Sequence, residues 1–282
     1  MTTVFVNTFI TATALALACA VLSVIVVLRR WAFIGEGISH SGFGGAGTAW
    51  LLMLAIPALD KPWLPYVSIV IFCLGTAVAI GALSRPRRGV SADAAIGIFL
   101  VASLAWGFFA QQIYLQQRGN IPTLFYNLLF GQLVTLSSLH ASAAVVVSLL
   151  VLLLVIGLWK EILAYTFDPL LAEISGVPSG WIHYMLMLLI ALVIIIGIPI
   201  AGSVLVTALL VLPGATALLL SRRLGVVLLF SILVAMIGAV GGLMLSTHSS
   251  YFPAGPTMVL LMFMEFLLTY VVMHVGGLGS RV

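Results

Sequence analysis

A chain of 282 residues that is 63% hydrophobic and only 6% charged is not an ordinary soluble domain, where about a quarter of residues carry charge. Its mean hydropathy of +1.31 leaves one broad class, a polytopic membrane protein, and the length fits a single transmembrane domain over residues 1–282 with no room for a sizeable soluble one. The net charge of +4 comes from short basic clusters at segment ends, as membrane anchoring requires, so no nucleic-acid partner is expected.

The N-terminus, MTTVFVNTF, has no basic stretch, and the apolar run over 8–28 is long enough to span. It reads as a first helix and not as a cleaved signal. Cys19 within it, like Cys73 further on, sits alone in an apolar run and reads as a packing residue.

The second apolar stretch, 33–56, contains FIGEGISHSGFGGAGTAW. Glu36 and His40 stand at i and i+4, so both project from one helix face. A carboxylate oxygen and an imidazole nitrogen suit zinc, manganese or ferrous iron. Two ligands are half a zinc shell, so the rest must come from another helix, water or a second subunit. The same pair also reads as a hydrogen-bonded clasp between helices. Gly42, Gly44, Gly45 and Gly47 allow close backbone approach, local unwinding, or a tight crossing without any ligand role.

The third and fourth stretches cover 64–84 and 92–113, with Asp93 one turn inside the latter. LFYNLLFGQLVTL, residues 124–136, reads as an interfacial or broken segment before the fifth stretch at 137–158. The connection KEILAYTFDPLLAEISGVPSG, residues 160–180, is longer than a turn needs. Asp168 can cap a helix, Pro169 suits its first position and Gly176 its stop. Leu170, Leu171 and Ile174 would share one face, with Glu173 between them. Such a segment reads as a docking helix or as a helix lying on lipid headgroups.

Stretches at 181–200, 203–221, 225–245 and 257–275 complete an all-α bundle of eight to nine spans. Pro213 interrupts the second of these four. His248 lies in the loop STHSSYFPAGP, and Glu265 lies mid-helix in MVLLMFMEFLLTY; both are further candidates for a cation path. His140, His183 and His274 sit near helix ends and read as interface anchors. Arg29–Arg30, Arg85–Arg88, Lys160 and Arg222–Arg223 mark successive cytoplasmic turns, giving an outside N-terminus and an inside C-terminus near Arg281. Asp60–Lys61 and Arg118 then fall outside. The deep charges are acidic, which favours a cation as passenger.

No GxSxG, HExxH, CxxC or phosphate-binding glycine loop occurs, so the chain reads as a transport subunit and not an enzyme. Energy must then come from another chain or from an ion gradient.

Five stretches resemble, in order, the membrane subunits of ATP-binding-cassette importers for zinc, manganese and iron that work with cluster A-I binding proteins. They are IGEGISHSGFGGAGTAWLL, SADAAIGIFLVASLAWG, FDPLLAEISGVP, AGSVLVTALLVLPGATALLLSRRL and STHSSYFPAGPTMVLL. The resemblance implies a multi-pass permease of the cell (inner) membrane, working as a homodimer with separate ATPase subunits and an extracytoplasmic metal-binding protein. It implies no permanently bound cofactor, only a transported divalent metal. By position Glu36 and His40 match the acid and histidine of the metal path, and residues 168–176 the coupling helix. Asp is usual where Glu36 stands. A proton-coupled secondary carrier, with Glu36, His40 and Glu265 as its relay, and a permease for a chelated metal or vitamin are the alternatives.

Overall fold

Lipid offers no partner for a peptide group, so a chain of this composition must satisfy its backbone internally, as helix. The structure, a computed structural model, describes residues 2–84, 90–119, 124, 128–129, 131, 138–248 and 251–275, and every regular element among them is helical. The helices are α1 Thr2–Leu28, α2 Ile34–Ala55, α3 Leu64–Leu83, α4 Ala92–Arg118, α5 Ser138–Gly157, α6 Trp159–Phe167, α7 Pro169–Ile174, α8 Ser179–Leu220, α9 Leu224–Met236, α10 Gly242–His248 and α11 Ala254–Val275. A π turn, Ile237–Gly241, joins α9 to α10 without leaving the helix. Arg85–Arg88, Arg281 and most of 124–136 lie outside the described residues.

Among the described residues seven helices are long and apolar enough to cross a membrane. Helix α2 is not one of them, because glycine, serine, Glu36 and His40 dilute its apolar residues. It is nonetheless enclosed by α3, α4 and α8. The 42 residues of α8 would reach about 63 Å if straight, twice the thickness of a bilayer core. Gly202, with φ 80° and ψ 161°, bends the run instead. The bend sets the Val206 side chain against Gly197, nine residues away, a separation of about 13 Å along a straight helix. The two legs correspond to the spans expected over 181–200 and 203–221.

Helix α8 and α1 form the centre of the bundle. Beside buried Pro213, Gly214 lies so close to the Ser23 backbone that a Cβ would stand 2.6 Å from it. Ser231 of α9 closes this corner by donating to the Ala20 carbonyl at 2.8 Å and meeting Ser23 Oγ at 3.0 Å. Free Cys19 and Cys73 are buried, as packing residues are. At one end Arg118 donates to Asp60 at 3.0 Å, and elsewhere Arg29 reaches Tyr165 of α6. Each of these contacts joins two connections expected to share a side.

Candidate functional site

Helix α2 owes its position to its glycines. A Cβ on Gly45 would lie 2.7 Å from the Ser68 carbonyl, and one on Gly47 would lie 2.8 Å from Ala110. Gly44 fits between Phe72 and the Ser103 carbonyl at 3.3 Å each. The helix is continuous through all of them, so close approach accounts for these glycines and local unwinding does not. Gly42 is different: its nearest neighbour, Ile69, is 3.6 Å away, an ordinary contact. Gly37, where a Cβ would meet Ile96 at 2.8 Å, has the role expected of Gly42, and it lies one residue from Glu36.

Glu36 and His40 occupy the first two turns of α2. His40 Nδ1 lies 3.2 Å from Glu36 Oε2, with side chains 18% and 35% exposed respectively. Ser39 donates to the Glu36 carbonyl at 3.2 Å, and its Oγ lies 3.2 Å from the same Nδ1. A carboxylate only accepts, so Nδ1 carries a proton, and in the neutral tautomer this leaves the lone pair on Nε2. This is the arrangement in which a carboxylate fixes the tautomer of a metal-binding histidine. Glu36 also lies where the helix dipole favours an anion.

The other predicted ligands do not gather here: no group of three or more His, Cys, Asp or Glu could hold a metal among the described residues. His248 is exposed at the end of α10. Glu265 is half-buried in α11, and neither of its carboxylate oxygens has a hydrogen-bond partner among the described residues. Asp93 sits exposed in the first turn of α4, which Ser91 caps through the Ala94 amide at 3.2 Å. His274 is exposed, stacks on Tyr270 at 4.1 Å and has Nδ1 3.1 Å from the Tyr270 carbonyl.

His183 is not an interface anchor. It is buried, 2.6 Å from Tyr165 Oη and 3.0 Å from the Gly81 carbonyl. No local pattern announces this pairing, because its partners lie 18 and 102 residues away.

Helix α7 forms as the sequence dictates. Asp168 accepts from the amides of Leu170 and Leu171 at 2.9 and 3.0 Å, Pro169 fills the first position, and Gly176 stops the chain at φ 86°. Leu170, Leu171 and Ile174 are 71%, 61% and 83% exposed. Glu173 is exposed too, and Ala172 alone in the helix is buried. Ser179 clamps the end of the loop to the Pro169 carbonyl at 2.8 Å.

Comparison with known proteins covers nearly the whole chain. The profile described as the ABC 3 transport family matches residues 1–273. A "Manganese transport system membrane protein MntC" from Halalkalibacterium halodurans is 35% identical over 228 residues, 81% of this chain and 73% of the relative. A "Chelated iron transport system membrane protein YfeD" from Yersinia pestis is 29% identical over 263 residues, covering 93% and 83%. A chain of the solved structure "PsaBC from Streptococcus pneumoniae in complex with Fab" is 27% identical, with a TM-score of 0.75 over 94% of this chain and 90% of that one.

Proposed function

The chain belongs to the ABC 3 transport family, and from that premise we propose that it is the permease subunit of an ATP-binding-cassette importer for a divalent transition-metal cation. Manganese and iron come ahead of zinc, because relatives are named for manganese and for iron. The observation that carries this reading is the Glu36–His40 pair: a carboxylate fixing a histidine at 3.2 Å, partly accessible, on a helix otherwise packed by glycine.

In this reading the ion arrives from an extracytoplasmic binding protein and meets His40 Nε2 and a Glu36 oxygen. Oxygen and nitrogen donors of this kind accept manganese, zinc and ferrous iron alike. Two donors are half of a tetrahedral zinc shell and a third of an octahedral one, so another helix, water or the same pair on a second permease copy completes it. Separate ATPase subunits bind at α7, whose apolar side chains face outward. Their ATP cycle rocks the helices between outward and inward openings, and affinity falls as the ligands separate.

The test is uptake into vesicles holding the chain with its ATPase and binding protein, with manganese, zinc and ferrous iron offered singly and in competition. Glu36→Gln and His40→Ala each abolish uptake while the complex still assembles; normal uptake by both ends the site assignment. A chelate carrier would instead ignore free-metal competitors, and a proton-driven carrier would work without any ATPase.

A further inference from the structure

The loop that presents α7 is held at its root by a buried polar chain. Tyr165, on α6, stands three residues before the Asp168 cap, and His183, on α8, four residues after the Ser179 clamp. The two side chains meet at 2.6 Å, so both ends of the loop are tied together. His183 Nε2 lies 3.0 Å from the Gly81 carbonyl at the end of α3. Arg29, at the end of α1, donates from Nη2 to Tyr165 Oη at 3.1 Å and from Nη1 to the Tyr165 carbonyl at 3.5 Å.

These contacts run in one direction. A carbonyl only accepts, so His183 Nε2 carries a proton, and the neutral ring offers Nδ1 as an acceptor. Tyr165 therefore donates to His183 while its own oxygen accepts from Arg29. Burial pushes the Tyr165 hydroxyl above its ordinary range, opposed only in part by Arg29, so the phenol keeps the proton it must donate. The Arg29 guanidinium lies 4.5 Å from the Tyr165 ring centroid and 5.2 Å from that of Trp31. The Trp31 ring in turn meets the His183 ring edge-on at 5.5 Å. Tyr165 and His183 are 4% and 7% exposed.

Four segments thus converge on one buried cluster: the α1–α2 turn, the end of α3, α6 and the start of α8. The Trp31 carbonyl accepts the Ile34 amide at 2.9 Å, which roots the first turn of α2, the turn that holds Glu36. Tyr165 and His183 thus stand between α7 and the Arg29, Trp31 and α2 contacts.

We propose that Arg29, Tyr165 and His183 are positioning residues that relay movement of the docked α7 to the helix bearing Glu36 and His40. This role rests on the reading of α7 as the ATPase-docking element.

The test measures metal taken up per ATP hydrolysed by the reconstituted complex of this chain with its ATPase and binding protein. His183→Leu removes both hydrogen bonds of the ring. His183→Gln keeps both, its amide oxygen accepting from Tyr165 and its amide nitrogen donating to Gly81. Tyr165→Phe removes one oxygen. The expected result is that His183→Leu and Tyr165→Phe still bind the ATPase and hydrolyse ATP, while uptake per ATP falls about tenfold, the scale of ordinary coupling between sites. His183→Gln restores the wild-type ratio. An unchanged ratio in Tyr165→Phe overturns the relay, as does a parallel fall of uptake and hydrolysis or a failure of His183→Gln to rescue. Should His183→Leu fail to assemble, Tyr165→Phe decides alone. A wild-type chain that neither binds an ATPase nor takes up metal marks a different failure, that of the importer reading itself.

Discussion

Two glycines three residues apart on α2 should respond to alanine with opposite signs. At Gly45 the added carbon would stand 2.7 Å from the Ser68 carbonyl oxygen, 2.8 Å from Ile69 Cα and 2.9 Å from Ile69 N. All three are backbone atoms of α3, so no side chain can swing aside. Bringing the 2.8 Å approach to an ordinary 3.4 Å needs the helices to part by about 0.6 Å, the difference of those two distances. The same movement stretches the 2.7 Å bond from Ser68 Oγ to the Gly45 carbonyl. Overpacking of this kind costs about 1–3 kcal/mol, and weakening the hydrogen bond adds about 1 kcal/mol. The helix propensity gained from alanine returns about 1 kcal/mol, so Gly45→Ala is destabilising by roughly 1–3 kcal/mol. At Gly42 the nearest atom is 3.6 Å away; only the propensity gain remains, and Gly42→Ala is neutral or stabilising by up to about 1 kcal/mol. Thermal unfolding of the purified variants in one detergent compares them directly. Equal midpoints for the two would refute the packing argument, since propensity alone treats the positions alike.

Two further outcomes follow from the geometry. Gly202 has φ 80° and ψ 161°, a region closed to side chains, so Gly202→Ala should lower stability by about 1–3 kcal/mol, read as a lower unfolding midpoint; an unchanged midpoint would mean that the bend does not need glycine. Leu170→Glu with Leu171→Glu replaces side chains that are already 71% and 61% exposed, so the unfolding midpoint should hold while copurification of the ATPase is lost. An ATPase that still copurifies would contradict docking at α7.

What the sequence discloses here is what local rules decide. The Asp-Pro start and glycine stop of α7 are read from adjacent residues, and the caps form where those residues stand. The i, i+4 spacing of Glu36 and His40 needs only helical geometry, and the 3.2 Å contact follows from it. Longer-range features were hidden. Helix α4 continues to Arg118, past the apolar boundary near residue 113, because an exposed helix end tolerates Gln116 and Gln117 until Gly119 turns left-handed at φ 75°. The π turn has glycines at its ends but no pattern of its own; a Cβ on Gly238 would collide with the Met262 side chain of α11, and one on Gly242 would meet the Met258 backbone at 2.6 Å. That close packing belongs to tertiary structure. The same holds for His183: position near a helix end predicts exposure, and only the approach of Tyr165 and Gly81 buries it.

The two readings of the 168–176 segment, docking helix or headgroup helix, separate on charge and on what folding gains. Six residues are far too few for a stable isolated helix, so α7 exists because Asp168, Ser179 and the Tyr165–His183 tie impose it. Folding gains almost nothing from its apolar side chains, since only Ala172 turns inward. A helix that rests on anionic headgroups sets lysine or arginine along its polar face. Residues 168–176 contain neither; their charges are Asp168 and Glu173, which anionic lipid repels. For the docking role proposed above, three large aliphatic side chains held outward and flanked by acid call for an apolar groove with basic edges on the partner. Covering that face would contribute about 25 cal/mol for each Å² of apolar surface removed from water, set against the freedom and polar hydration that any association gives up.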